Sequence, residues 1–248
     1  MRIYAIGDIH GQLDMLVDAH RLIAEDRARC GDHSAPVVHL GDFTDRGLES
    51  AGVIQFMIDG LEDGNPWISI KGNHDRMFEG FLRDPGYQDP RLHSSLTWQN
   101  PRLGGDKTLA SYGIDVSEGR TVAQMFVDAM VKVPASHRAF LAGLELMHET
   151  DDLLFVHAGI RPGVAFDRQS EDDLVWIRDR FLEDTRDHGK LVVHGHTVVE
   201  VPMHMGNRVA IDTGAGYFHP LTAVVFEGPE CWVLMDQGRE QLLPEISA

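Results

Sequence analysis

In five places along this 248-residue chain, a glycine stands beside an aspartate, asparagine or histidine, or one residue from it, just after an apolar run. These segments are Gly7-Asp8-Ile9-His10-Gly11, Gly41-Asp42, Gly72-Asn73-His74-Asp75, His157-Ala158-Gly159 and His194-Gly195-His196. A single Gly-Asp after a strand is ordinary turn chemistry. Five such loops point instead to a shared site. Carboxylates, an amide oxygen and imidazoles brought together without a cation would oppose one another and lose their hydration. One or two divalent metals resolve that cost. Mixed oxygen and nitrogen donors suit manganese, iron, zinc or nickel better than calcium or magnesium. Two such ions, about 3.5–4 Å apart, can activate water and clamp an in-line displacement at phosphorus.

The elements around these segments explain how they would meet. Arg2–Ile6, Pro36–Leu40 and Trp67–Ile70 read as buried strands. Between them, Gln12–Cys30 has helical periodicity with Gly31 as its C-terminal cap, and Ser50 is expected to cap a helix running to Leu61. Strand, loop and helix in this order predict parallel strands with crossover helices. Polar loops outside the carboxyl ends of such strands form a binding crevice. Asp84–Asn100 reads as loop; Leu109–Tyr112, Val122–Val131 and Ser136–Leu146 read as helical, with Pro134 in a first turn. Short strands return at Leu153–Val156, Leu191–Val193, Val209–Ile211, Ala223–Phe226 and Trp232–Leu234, with one helix expected over Leu174–Phe181.

Extended slightly, these segments resemble the metallophosphoesterases of the phosphoprotein-phosphatase type, a calcineurin-like family. The resemblance rests on Gly7-Asp8-Ile9-His10-Gly11, Gly41-Asp42-Phe43-Thr44-Asp45-Arg46-Gly47, Gly72-Asn73-His74-Asp75, Phe155-Val156-His157-Ala158-Gly159 and His194-Gly195-His196-Thr197. It runs from Met1 to about Thr213. It implies an α/β fold, a four-layer α/β/β/α sandwich, as one domain over residues 1–248 with a helical insertion at 76–146. It also implies two divalent transition metals, manganese first, with iron, zinc or nickel as alternatives. Asp8 and His10 would bind one metal, Asp42 would bridge, and Asn73, His157 and His196 would bind the other. His74 would be the general acid, Asp45 its partner and Arg46 a phosphate ligand, with a hydroxide between the metals as nucleophile. Asp172-Asp173-Leu174-Val175-Trp176-Ile177-Arg178 resembles a Trp-x-Arg element, making Arg178 a second phosphate ligand. The alternative for Arg178 is pairing with Asp172 or Asp173 on a helix surface.

The chemistry of these residue types agrees. An alkoxide leaves poorly, so a proton donor near it helps. An imidazole held by a carboxylate is favoured in its donating form. A guanidinium fork matches phosphate. His194 is expected to be a packing or supporting residue, Asp75 a helix cap or first-turn acid, and Trp98, Asn100, Gly104 and Gly105 part of a loop near the cleft or a packed lid. Asp212-Thr213-Gly214 is a turn or part of the rim. Where eukaryotic members have His-Gly-Gly and Ala-His-Gln, this chain has His157-Ala158-Gly159 and Gly195-His196-Thr197, which puts it nearer the bacterial and phage type.

Composition limits the partners. With 22 Lys+Arg against 39 Asp+Glu, the formal charge is −17. That excess opposes nucleic-acid binding, nuclease activity and a polybasic membrane anchor. No apolar run reaches the roughly 20 residues of a membrane span, and no signal core opens the chain. A cytoplasmic protein is the expectation, with Cys30 and Cys231 as buried reduced thiols. The expected activity is hydrolysis of phosphoserine, phosphothreonine or phosphotyrosine on proteins and of small phosphomonoesters. Its rival is hydrolysis of a nucleotide phosphoanhydride, such as symmetric cleavage of diadenosine tetraphosphate. A metal-stabilised binding protein without catalysis would be expected to lack part of the His74–Asp45 pair or a ligand, and none is missing.

Overall fold

The computed structural model describes residues 1–245. The chain runs β1 (Arg2–Ile6), α1 (Leu13–Cys30), β2 (Val37–His39), α2 (Ser50–Glu62), β3 (Trp67–Ser69) and α3 (Asn73–Arg83). It continues through α4 (Gly105–Ser111), α5 (Val122–Lys132), α6 (Ala135–Ala142), β4 (Met147–Glu149), β5 (Leu153–Val156), α7 (Glu171–Trp176) and the single turn α8 (Asp179–Leu182). It ends with β6 (Leu191–His194), β7 (Met203–His204), β8 (Arg208–Ala210), β9 (Ala223–Glu227), β10 (Glu230–Met235) and β11 (Gly238–Leu242).

The apolar runs of β1, β5 and β6 are continuous because both faces of each strand are covered. Successive side chains point to opposite faces. Ile3 and Ala5 of β1 meet Leu153 and Phe155 of β5 and Leu191 and Val193 of β6 in a layer between two sheets. Tyr4 and Ile6 face the other way, onto Leu16 and Ile23 of α1 and Val53 and Ile54 of α2. Leu154, Val156 and Val192 pack outward on Leu174 and Phe181. Helices, sheet, sheet and helices give the four-layer α/β/β/α arrangement. One sheet has the order β11-β10-β9-β1-β2-β3 and the other β4-β5-β6-β8-β7. Strands β1, β2 and β3 are parallel, with Tyr4 opposite Val37 and Val37 opposite Trp67. Strands β5, β6 and β8 are parallel too. All five polar segments therefore follow the carboxyl ends of parallel strands.

Several expectations are corrected. Ser50 is the first residue of α2 and caps nothing; its hydroxyl faces the Asp45 loop and accepts from Asp45 N at 3.2 Å. The expected helix over 174–181 is two pieces, broken at Ile177 and Arg178, where Arg178 takes φ −133° and ψ −110°. Pro134 precedes α6 as its N-cap. Residue 76 lies inside α3, so the helical region begins within the Asn73-His74-Asp75 segment itself. Cys231 is buried, but Cys30 is exposed, because it ends α1 on its outward side, where Arg239 reaches Sγ at 3.0 Å. Gly31 does close α1, at φ 67°, with its N–H on Arg27 O. Among the described residues no helix is long and apolar enough to cross a membrane.

The helix-facing side of β2 holds a histidine pair. His39 Nδ1–H donates to Ile68 O at 3.2 Å, which leaves its Nε2 to accept from His20 Nε2–H at 3.0 Å. His20 also stacks on Trp67 at 4.3 Å. Burial pushes His39 down to about 4, and burial with the His39 charge pushes His20 down to about 2. The unfolded chain takes up protons at these positions below about 6.5, and the folded chain does not until lower pH. Stability from the pair is therefore fully present above about 6.5 and lost as pH falls toward about 4 for His39 and about 2 for His20. In chemical denaturation, replacing both residues (His20→Phe with His39→Leu) should reduce the loss of stability between about pH 7 and pH 5. An unchanged loss would show that the pair is not its source.

Candidate metal and catalytic site

The rim is built by strand ends that turn sharply. Among the described residues six non-glycine residues have left-handed φ, and five of them are His10, Asp42, Asp45, Arg46 and His196. That conformation is disfavoured for residues with a Cβ and persists where surrounding structure holds it. Two glycines make room for the carboxylates. A Cβ on Gly72 would lie 2.1 Å from Asp42 Oδ1, and one on Gly195 1.9 Å from Asp8 Oδ1. Asn73 and His74 open α3, and Asp75 secures that start: its Oδ2 accepts from Gly72 N at 3.0 Å and its Oδ1 from Phe43 N at 2.9 Å. Asp75 is thus a first-turn acid that also ties the β2 loop to the β3 loop.

Three imidazoles are anchored through Nδ1. His10 Nδ1–H donates to Thr44 O at 2.9 Å, His157 Nδ1–H to Leu40 O at 2.8 Å and His74 Nδ1–H to Asp45 Oδ2 at 2.6 Å. Each Nε2 is left with a lone pair facing the interior of the rim. His157 Nε2 looks onto Asn73 Oδ1 at 2.9 Å and Asp42 Oδ1 at 3.5 Å, and His196 Nε2 is buried without a partner among the described residues. Burial pushes His10, His157 and His196 down, toward the neutral form that carries a lone pair for a metal. Burial, then the charges of Asp212 and Asp42, pushes the Asp8 carboxyl up. Lone pairs and carboxylates facing one another, with histidines oriented from behind, fit a divalent-cation centre. Among the described residues, two donor groups have atoms within 4.8 Å of one another: His10, Asp42 and His74, and Asp42, His157 and His196. Asp42 is common to both.

The remaining expected residues lie as follows. Asp8 is in neither donor group; its Oδ2 accepts from His196 N at 3.0 Å, and its Oδ1 is 4.0 Å from His157 Nδ1. His74 is within the first group, yet its Nδ1 belongs to Asp45. The Arg46 guanidinium lies against both His10 and His74, donating Nη1–H to His10 Nε2 at 2.8 Å and Nη2–H to His74 Nε2 at 3.2 Å. Arg178 is exposed and reaches Thr197 Oγ1 at 3.4 Å, beside His196. It does not pair with Asp172 or Asp173, which go to Arg76 and Arg161. His194 does not face the rim: it is buried against Phe181 at 5.1 Å, with burial and the Arg208 charge pushing it down to about 3.

Two supporting side chains come from the helical region. Trp98 Nε1–H donates to Asp45 Oδ2 at 2.8 Å, and Thr108 Oγ1–H donates to Asp45 Oδ1 at 2.7 Å. Thr108 also accepts from Asp45 N at 2.8 Å. Gly104 lets this segment touch the Arg46 backbone, since a Cβ there would be 2.2 Å from Arg46 N. Trp98 and Gly104 stood out in the sequence; Thr108 did not, because nothing near it in the chain signals a partner 63 residues away.

Gly195→Ala should push Asp8 aside. Overpacking of this kind costs roughly 1–3 kcal/mol, so a lower melting temperature and weaker Mn²⁺ binding by calorimetry are expected. Wild-type affinity in that variant would separate Asp8 from the cation centre.

The profile of the calcineurin-like phosphoesterases matches residues 1–224. A bis(5'-nucleosyl)-tetraphosphatase (asymmetrical) PrpE of Anoxybacillus flavithermus is 26% identical over 238 residues, covering 88% of each chain. Shewanella-like protein phosphatase 2 of Arabidopsis thaliana is 25% identical over 181 residues, covering 64% of this chain and 46% of that one. The crystal structure of a cold-active protein-tyrosine phosphatase of a psychrophilic Shewanella superposes with a TM-score of 0.64 at 17% identity, covering 98% of this chain and 80% of that one; it shares the fold. The chain belongs to the calcineurin-like phosphoesterase family.

Proposed function

We propose that this metallophosphoesterase hydrolyses phosphomonoesters, with phosphorylated serine, threonine or tyrosine side chains of proteins and small phosphate esters as substrates. The observation that carries this reading is the His74–Asp45 pair at 2.6 Å, next to Arg46. An alkoxide leaving group needs a proton; the phosphate released from an anhydride needs one far less. His74 serves as the general acid. With Nδ1–H held by Asp45, His74 takes up a proton from water on Nε2 once Arg46 has turned away, and Nε2 delivers it to the leaving oxygen. Arg46 donates to that Nε2 in this structure and turns to the phosphoryl oxygens, which offer it two charge-assisted bonds. Arg178 contributes from the His196 side. Asp8, His10, Asp42, Asn73, His157 and His196 hold two divalent ions, manganese first. When bound, the ions supply Lewis-acid stabilisation of the phosphoryl group and activation of water. The −17 chain thus attracts an anionic substrate locally rather than through a basic surface.

A second reading is hydrolysis of a dinucleoside polyphosphate. The tetraphosphatase relative supports it, aligning over 88% of both chains, whereas the plant phosphatase is matched over 46% of its length. That relative's name specifies asymmetrical cleavage, in contrast to the symmetrical cleavage considered from sequence.

Catalytic efficiencies on a phosphopeptide panel, diadenosine tetraphosphate and p-nitrophenyl phosphate separate the two. The phosphopeptides should exceed the dinucleotide; a clear excess on the dinucleotide would overturn the first reading in favour of the second. A chelator should abolish turnover, and Mn²⁺ should restore it. His74→Asn should slow hydrolysis of an alkyl phosphate by about 10²–10⁴-fold and that of p-nitrophenyl phosphate much less, since nitrophenolate leaves unaided. Equal losses on both esters would remove His74 from the general-acid role.

A further inference from the structure

Behind Asp8 lies a carboxylate to which no role has yet been given. Asp212 follows β8, is 2% exposed and packs against Gly7, whose Cβ, if present, would lie 3.6 Å from Asp212 Cα. Its Oδ1 accepts from Gly214 N at 2.9 Å, closing the turn. Its Oδ2 is buried and has no partner among the described residues. The adjacent Thr213 hydroxyl does not serve it: that group donates to Pro220 O at 2.7 Å. A turn needs only one side-chain oxygen, which asparagine or serine also supplies. The second oxygen is therefore unexplained, and leaving it buried without a donor is costly. What surrounds it is the rim. Gly7 directly precedes Asp8, and Ile211, just before Asp212, donates its N–H to His194 O at 3.0 Å, two residues before His196. With Asp8 and Asp42, each at most 2% exposed, it makes a third buried carboxylate. The nearby guanidinium of Arg46 donates to His10 and His74, and not to any of the three.

We propose that Asp212 is a third carboxylate of the cation centre, lending its charge and its free Oδ2 to divalent-ion binding. This rests on the reading of the rim as a two-ion centre. Two divalent ions bring four positive charges, against which Asp8 and Asp42 offer two negative ones; Asp212 lowers the remaining excess. Groups that act from just outside the ligands typically change metal affinity by about 10–100-fold.

The test is calorimetric titration of Mn²⁺ into chelator-stripped full-length protein. Asp212→Asn keeps the Oδ1 that accepts from Gly214 N and replaces Oδ2 with an amide NH2, removing both the charge and the free acceptor. At least one Mn²⁺ dissociation constant should rise about 10–100-fold, with the circular dichroism unchanged. Should the asparagine variant fail to fold, Asp212→Glu and Asp212→Gln form a pair of equal size, and the glutamate variant should bind Mn²⁺ at least tenfold more tightly. Tight binding by the unmodified protein with no change in Asp212→Asn, or equal binding by Glu and Gln, would overturn this proposal alone. No Mn²⁺ binding by the unmodified protein would overturn the two-ion reading and this proposal with it.

Discussion

The rim of this fold is dominated by one cost: buried groups that carry negative charge or a lone pair face one another with few donors among them. Asn73 Oδ1 and Asp42 Oδ1 lie 2.9 and 3.5 Å from His157 Nε2, Asp8 Oδ1 lies 4.0 Å from His157 Nδ1, and His196 Nε2 and Asp212 Oδ2 have no partner among the described residues. Everything around them keeps that arrangement in place. Backbone carbonyls of Leu40 and Thr44 fix the imidazoles from behind. Five residues accept left-handed backbone, and Gly72 and Gly195 leave space where a methyl group would strike a carboxylate. A cluster of this kind gains its stability when a cation enters, so cation affinity and local order are linked.

A second layer of support holds the His74–Asp45 pair. Asp45 is 0% exposed and receives hydrogen bonds from His74, Trp98 and Thr108. Bonds to a charged partner contribute about 1.5–3 kcal/mol each, enough to fix the imidazole's orientation. Trp98 is itself held by stacking on Phe78 at 5.1 Å and packing on Phe81 at 5.0 Å. The helical region after β3 is thus tied to the strand-end loops at Asp45, and its role extends beyond covering the sheet. The same loops position Arg46, whose guanidinium lies 4.8 Å from the ring of the exposed Tyr217.

Much of this was legible in the chain because it is local. A five-residue apolar strand such as Arg2–Ile6 covered on both faces, Gly31 after α1, and glycines flanking Asp8, Asp42 and His196 all announce themselves within a few positions. The family resemblance covers those same positions. What sequence reading missed depends on contacts between distant segments. Ser50 looks like a helix cap, yet α4 brings Thr108, 58 residues along the chain, to the same Asp45 backbone, and the hydroxyl goes there. The break at Ile177–Arg178 has no proline or glycine to mark it. Neither the free oxygen of Asp212 nor the outward turn of Cys30 follows from residue type, since both are set by packing. Short edge strands such as β4, β7 and β11 lack a long apolar run and become strands only by pairing.

The central claim is that the rim holds two divalent ions while His74 stands beside them as a proton donor rather than a ligand. That point is sharp because His74 shares a donor group with His10 and Asp42. Metal content by mass spectrometry, after loading with Mn²⁺ and removal of excess, addresses it directly in the unmodified protein and in His74→Asn. Two ions per chain in both is the expected result. Fewer than two in the unmodified protein, or loss of one on replacing His74, would contradict it.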